Sequence, residues 1–240
     1  MQKINNSHYK SVVVLTGAGV SRPSGLPTYR GPGGLWNDPA TEVVSTINCF
    51  RDTPEKSWNF WSAVKREILE AEPNQAHFAL SEWQKKFSGG RKFTLITQNV
   101  DELHQRAGSE NVVELHGSLF QTRCSNPLCK NRFRDEKDYP GEIPRCTACG
   151  DILRPDIVLF EEPLPAEAEY LSKKAFRDCD LFIAVGTSGK VSPASQFVRW
   201  AKYAGARTVI VNLEQLEPQD NSYDLELIGR AEELLGEVLI

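Results

Sequence analysis

Four short apolar runs recur along the chain: Lys10–Thr16, Lys92–Thr97, Leu181–Val185 and Arg207–Asn212. Runs of this length and β-branched character predict strands buried on both faces. Around them, residues Asn74–Phe87, Ala166–Arg177, Pro193–Tyr203 and Tyr223–Leu235 place apolar side chains three or four positions apart, which is the period of an amphipathic helix. Strands that alternate with helices predict a parallel sheet with helices on both faces, because each crossover has to pass over a face of the sheet. The ends of the runs are chemically distinct: Gly17-Ala18-Gly19 after the first, Gln98-Asn99-Val100-Asp101 after the second, Gly186-Thr187-Ser188 after the third and Asn212-Leu213-Glu214 after the fourth. Ligands of open α/β sheets bind outside the carboxyl ends of the strands, so these ends are the first candidates for a site.

Two stretches break the rhythm. Residues 31–75 begin rich in Pro, Gly and Trp, become helix-like, and predict a helical cap inserted after the first strand. Residues 123–155 are polar and hold Cys124-x4-Cys129 and, after sixteen intervening residues, Cys146-x2-Cys149. Two turns offering two thiolates each suit a tetrahedral zinc ion, and four protein ligands leave no open position, so a structural role is expected for the metal. A small polar module of this kind needs such a staple. Cys49 and Cys179 stand apart from the cluster.

At 240 residues the chain has room for a main domain and a smaller module. Its 28 basic and 32 acidic residues, net charge −4, give no reason to expect a nucleic-acid partner. Residues Met1–Lys10 lack the apolar core of a secretory signal, and no apolar run is long enough to span a bilayer. A cytoplasmic, monomeric protein without a membrane partner is therefore expected.

Several residues carry chemistry at these positions. Gly17 and Gly19 would let backbone N–H groups approach a pyrophosphate at a helix N-terminus, although an ordinary tight turn uses the same residues and the spacing departs from G-x-G-x-x-G. Asn99 and Asp101 can bind hydroxyls and a carboxamide, or simply cap a turn. His116 stands in an apolar run before Gly117, either as a hydrogen-bonded structural group or as a base working near its ordinary pKa of about 6.5. His104, three residues beyond Asp101, is read as structural on a helix face. Lys190 and the pairs Lys85-Lys86 and Lys173-Lys174 are read as solvated.

Taken in order, Gly17-Ala18-Gly19-Val20-Ser21, Ser24-Gly25-Leu26-Pro27, Tyr29-Arg30-Gly31, Thr97-Gln98-Asn99-Val100-Asp101, Glu114-Leu115-His116-Gly117-Ser118, the cysteine pairs and Gly186-Thr187-Ser188 with Val191-Ser192-Pro193-Ala194 resemble the sirtuin family across roughly Val12 to Glu214. The resemblance implies a Rossmann-like NAD-binding domain built from residues 1–30, 76–122 and 156–240, with the cap at 31–75 and the zinc module at 123–155. It also implies a reaction in which NAD is consumed. The acyl oxygen of a modified protein lysine attacks the nicotinamide ribose carbon and expels nicotinamide; free lysine and O-acyl-ADP-ribose follow. His116 then matches the family's catalytic base, Asn99 its ribose-positioning amide and Asp101 its nicotinamide contact. Gly17, Ala18, Gly19, Tyr29, Arg30, Gln98, Gly186, Thr187, Ser188, Asn212, Leu213, Glu214 and Ala231 match the dinucleotide site.

The resemblance places the substrate peptide between the domains, along Val158, Phe160 and Glu161, and the acyl group near Trp61 and Val64. The chain departs from the family pattern at two points. Glu161 stands where the family usually has Gly, which adds a charge beside the peptide path. Trp61 and Val64 occupy the positions where relatives that remove acidic acyl groups carry Tyr and Arg, so the cation that would neutralise a succinyl carboxylate is missing and a neutral acyl group is expected, unless Arg66 reaches the pocket instead. ADP-ribosyl transfer, NAD hydrolysis and a non-catalytic NAD-binding module are the competing readings. A hydride-transfer dehydrogenase fits less well, because the acidic ribose ligand expected about twenty residues after the glycine turn is absent.

Overall fold

The computed structural model describes residues 2–31, 33–137, 139 and 141–240. Its strands are β1 (Ser11–Thr16), β2 (Lys92–Thr97), β3 (Val113–Glu114), β4 (Gly117–Cys124), β5 (Arg132–Arg134), β6 (Leu153–Ile157), β7 (Leu181–Val185), β8 (Arg207–Asn212) and β9 (Leu225–Ile228). Its helices are α1 (Pro39–Val44), α2 (Ile47–Asp52), α3 (Pro54–Glu70), α4 (Gln75–Lys85), α5 (Leu103–Arg106), α6 (Ala166–Phe176), α7 (Phe197–Tyr203) and α8 (Ala231–Val238).

Six strands form a sheet in the order β3-β2-β1-β7-β8-β9, and every pairing in it is parallel. The order reverses between β1 and β7, which leaves a crevice at the carboxyl ends of those two strands. Strand alternation divides the apolar side chains between two cores. Val12, Val14, Ile183 and Val211 face one way, onto Leu80 and Trp83 of α4 and Leu235 of α8. Val13, Leu15, Phe182 and Ile210 face the other, onto Phe176 of α6 and Phe197 and Ala201 of α7. The four predicted strands are all present and the sheet is Rossmann-like, with helices packed on both faces.

The periodic segment Tyr223–Leu235 is not one helix. Leu225–Ile228 pairs with Val209–Asn212 as the edge strand β9, and the helix starts only at Ala231, after Gly229 at φ 151°. Alternation at Leu225 and Leu227 competes here with helical spacing, and the unpaired edge of β8 decides it: backbone groups at that edge are satisfied by a strand and not by a helix. Likewise α7 starts at Phe197, because Ala194–Gln196 form a 3₁₀ turn.

β5-β4-β6 is a separate antiparallel sheet. It reaches back to Gly117 and on to Ile157, so its strands extend past both ends of the 123–155 stretch. A third core joins it to the cap: Trp58, Trp61, Val64 and Ile68 of α3 pack with Leu119, Phe120, Leu153 and Ile157. Trp58 Nε1 donates to the Leu153 carbonyl at 2.7 Å, and buried Lys65 donates to the Asp135 carbonyl. No helix is long and apolar enough to cross a membrane among the described residues.

Candidate active site

The crevice is closed at its base by a backbone contact that only glycine allows. Gly17 N–H donates to Val185 O at 3.0 Å and Gly19 N–H to Gly186 O at 2.9 Å. A Cβ on Gly17 would lie 2.7 Å from Gly186 O, and one on Gly186, which sits at φ +60°, would lie 2.5 Å from Val20 N. The loops after β1 and β7 therefore interlock. Thr187 is held from the next strand, with its N–H donating to Asn212 Oδ1 at 3.1 Å and its carbonyl accepting from Asn212 Nδ2 at 2.9 Å. Gln98 Nε2 reaches Thr187 Oγ1 at 3.0 Å. The ends of β1, β2, β7 and β8 are thus one connected polar floor.

Beside it lies a second, buried network. Asn99 and Asp101 are each only 5 % exposed. Asn99 Nδ2 donates to Ser21 Oγ at 3.0 Å and to Gly17 O at 3.2 Å. Ser21 Oγ donates to Asp101 Oδ2 at 2.7 Å, while Leu103 N–H donates to Oδ1 at 3.0 Å. Burial pushes the Asp101 carboxyl up, against these two donors, which pull it down.

His77 completes the network. Its Nδ1 accepts the Asn74 N–H at 3.1 Å, closing a capping box at the start of α4, so the ring proton sits on Nε2, 3.4 Å from Ser21 Oγ. Burial pulls the His77 pKa down to about 4. His104 meets His77 edge to face, with ring centroids 4.8 Å apart, and faces Thr16 Oγ1 through Nε2 at 2.9 Å, beneath the site.

His116 approaches from the other side. Gly117, at φ +77° and paired with Ile157, admits no side chain, since a Cβ would meet Asp156 O at 2.1 Å. That close turn and the Val158 N–H donating to the His116 carbonyl at 2.9 Å set the ring's position. His116 Nδ1 lies 2.9 Å from the Gln98 carbonyl. A carbonyl can only accept, so Nδ1 carries the proton and Nε2 of the neutral ring keeps its lone pair. Burial lowers the His116 pKa, and the Gln98 bond offsets part of that. The ring opens on a cleft of about 390 Å³ lined by Trp36, Trp61, Val158, Phe160, Leu164 and Pro193, with Glu161, Glu162 and Glu169 and, among the described residues, no Lys or Arg.

The structure distributes the other expected residues unevenly. Ala18, Tyr29 and Val64 line a narrow cavity with Ser21, Asn99 and Asp101, whereas Trp61, one turn before Val64 on α3, lines the His116 cleft. Arg66 is exposed and lines neither. Arg30 is exposed, with its guanidinium 5.1 Å over the Trp36 ring. Ser188 is half-buried, Leu213 and Glu214 are exposed beyond β8, and Ala231 is buried in the first turn of α8. Phe160 is tied to the cap, its N–H donating to Ser45 O at 2.9 Å and its carbonyl accepting from Ile47 N at 3.1 Å.

Ser21 as a hub, His77 and Trp36 are contributions that the sequence reading does not assign. The available signal for His77 was its place three residues after Asn74 at a helix start; Trp36 carried none.

The four thiols of Cys124, Cys129, Cys146 and Cys149 place their sulfurs within 4.8 Å of one another, with Cys124–Cys149 at 3.4 Å and Cys129–Cys146 at 3.8 Å. A tetrahedral ion with metal–sulfur bonds of about 2.3 Å needs sulfurs about 3.8 Å apart, so the set fits such an ion. Asn131 Nδ2 donates to Cys146 Sγ at 3.2 Å and is the main influence drawing that thiol down to about 6.

Comparison with known proteins agrees with this geometry. Residues 17–193 match the Sir2 family. NAD-dependent protein deacylase 2 of Archaeoglobus fulgidus is 41% identical over 236 residues, covering 96% of this chain and 90% of that protein. The NAD-dependent protein deacylase of Thermus thermophilus is 44% identical over 206 residues, covering 85% and 80%. Among solved structures, a Sir2 homolog–NAD complex superposes with a TM-score of 0.86 at 38% identity, covering 95% of this chain and 87% of that one. A Sir2–p53 peptide–NAD+ complex gives 0.83 at 32%, covering 97% and 93%. A family match across most of the chain, with relatives of this identity and coverage, means that the chain belongs to the Sir2 family.

Proposed function

We propose that this enzyme removes neutral acyl groups, acetyl foremost, from protein lysines, with His116 as its base and a structural zinc ion in the Cys124, Cys129, Cys146 and Cys149 cluster. Sir2-family membership makes the reaction an NAD-dependent deacylation that releases nicotinamide and O-acyl-ADP-ribose. The observation that carries the assignment of the base is the bond from His116 Nδ1–H to Gln98 O. It leaves Nε2 free to take a proton from a ribose hydroxyl, in a ring that burial keeps neutral near pH 7.

Asn99, fixed by Ser21 and Gly17, is assigned to the ribose. Asp101 is assigned to the nicotinamide carboxamide, in the narrow cavity it shares with Tyr29. The interlocked glycines, Thr187 and Asn212 are assigned to the dinucleotide, whose phosphates the exposed N–H groups of such turns can bind. The neutral-acyl preference is supported by a cleft wall of Trp, Phe, Leu, Val and Pro that carries carboxylates and, among the described residues, no cation: an acyl carboxylate entering it would be desolvated without a partner. Zinc would hold β4, β5 and β6 together and is assigned no step in the reaction.

Mass spectrometry of NAD consumption with acetyl-, succinyl- and long-acyl-lysine peptides, on the wild type and His116→Ala, tests this. Acyl-dependent nicotinamide release with acetyl ahead of succinyl is expected. Succinyl ahead of acetyl overturns the acyl assignment; NAD loss without peptide identifies a hydrolase, and NAD binding without turnover a binding module.

A further inference from the structure

Glu161 is the feature of the cleft that the reaction itself does not use. It stands at φ 73°, a left-handed conformation that side chains other than Gly, Asn and Asp adopt at a cost, and its carboxylate is nevertheless held, accepting from Asn48 Nδ2 at 2.6 Å. Asn48 belongs to α2 of the cap, so one hydrogen bond fixes the charge at the seam between the cap and the segment after β6. The residue is exposed and lines the same cleft as His116.

The other two carboxylates of the cleft are neutralised. Glu162 pairs with Arg154 at 2.6 Å and Arg123 at 3.5 Å, and Glu169 pairs with Lys173 at 2.6 Å. The partner of Glu161 is an amide, which positions the charge without cancelling it. With no Lys or Arg in the wall among the described residues, the cleft presents the uncompensated negative charge of Glu161 to whatever chain delivers a lysine to His116.

We infer that Glu161 is a specificity-determining residue that selects acyl-lysine substrates with a Lys or Arg side chain adjacent to the modified lysine and rejects those with an acidic neighbour. The inference rests on the deacylase reading above. A substrate cation near Glu161 gains an interaction present in both the bound ground state and the transition state, so its effect belongs in KM and leaves kcat unchanged. The charge is exposed, so the effect is modest and salt-sensitive.

The test measures deacetylation kinetics on three sets of acetyl-lysine peptides, with Arg, Ala or Glu scanned through the two positions on either side, for wild type, Glu161→Gln and Glu161→Gly at low and high salt. At one or more positions the wild type should favour Arg over Glu by about fivefold in kcat/KM, through KM, and the ratio should fall toward one at high salt. Both variants should bring the ratio near one at low salt; Gln keeps the side-chain shape and Gly relieves the backbone, so agreement between them assigns the effect to the charge. Equal kcat/KM across the Arg and Glu peptides overturns the inference while turnover of the Ala peptide leaves the deacylase reading standing. A wild-type ratio that persists in both variants also overturns it, and turnover of no peptide overturns both readings together.

Discussion

Acidification should loosen the buried network around Ser21, Asn99 and Asp101 through one residue, His77. Its Nδ1 accepts the Asn74 N–H, so protonating the ring removes the acceptor and breaks the capping box of α4, next to the Ser21 hydroxyl that Asn99 and Asp101 share. Burial lowers its pKa from 6.5 to about 4, so between these values the unfolded chain binds a proton that the folded chain refuses. The stability this group contributes is fully present above pH 6.5 and is lost as pH falls toward 4. At pH 5 the loss amounts to RT ln[(1 + 10^1.5)/(1 + 10^−1)], about 2 kcal/mol relative to pH 8.

Other groups titrate in the same window. Glu114, raised by burial to about 7, acts in the opposite direction, since its contribution is present at low pH and lost as pH rises through 7. The measurement therefore has to be a difference. His77→Gln offers an acceptor to the Asn74 N–H and a donor to Ser21 but has no proton to gain. Urea unfolding of both proteins at pH 8 and pH 5 should show the wild type losing about 2 kcal/mol more than the variant, or about 4–8 °C in melting temperature for a chain of this size. Parallel losses in the two proteins would refute the reasoning.

His116→Ala should lower kcat/KM by about 10²–10⁴-fold with NAD binding retained, and because the wild-type ring's pKa lies below 6.5, the acid limb of kcat/KM should have its midpoint below that value; a midpoint at 7 or above contradicts the assigned base. Gly186→Ala should cost about 2–4 kcal/mol in thermal unfolding and weaken NAD binding measured by calorimetry, because its Cβ meets backbone at 2.5 Å. Cys129→Ser should lower bound zinc, measured by atomic absorption, and raise protease sensitivity within residues 123–155; unchanged metal content would remove that thiol from the ligand set.

Much of this is legible in the sequence. Each long parallel strand is an apolar run that can be buried only by the same kind of sheet, and the cysteine spacing has few solutions other than a shared metal. Asn99, Asp101 and His116 stand at strand ends, where an α/β sheet places its ligands. The segment 223–235 was not legible, because alternating and helical spacings overlap in it and the free edge of β8 makes the choice. Trp36 and the Asn48–Glu161 bond were not legible either, since they depend on how the cap folds back over the segment after β6.

Local pattern alone thus determines that the runs of β1, β2, β7 and β8 become strands and which side chains are chemically able to act, because those properties depend on neighbours a few residues away; the demand for glycine at 17 and 186 comes instead from the facing loop. The tertiary structure alone decides the tautomer of His116, the hydrogen bonds shared around Ser21 and the placement of the Glu161 charge at the cleft. Each is a contact between segments separated by 18 residues for His116 and Gln98, 80 for Ser21 and Asp101 and 113 for Asn48 and Glu161, and no local pattern specifies which distant partner will lie within 3 Å.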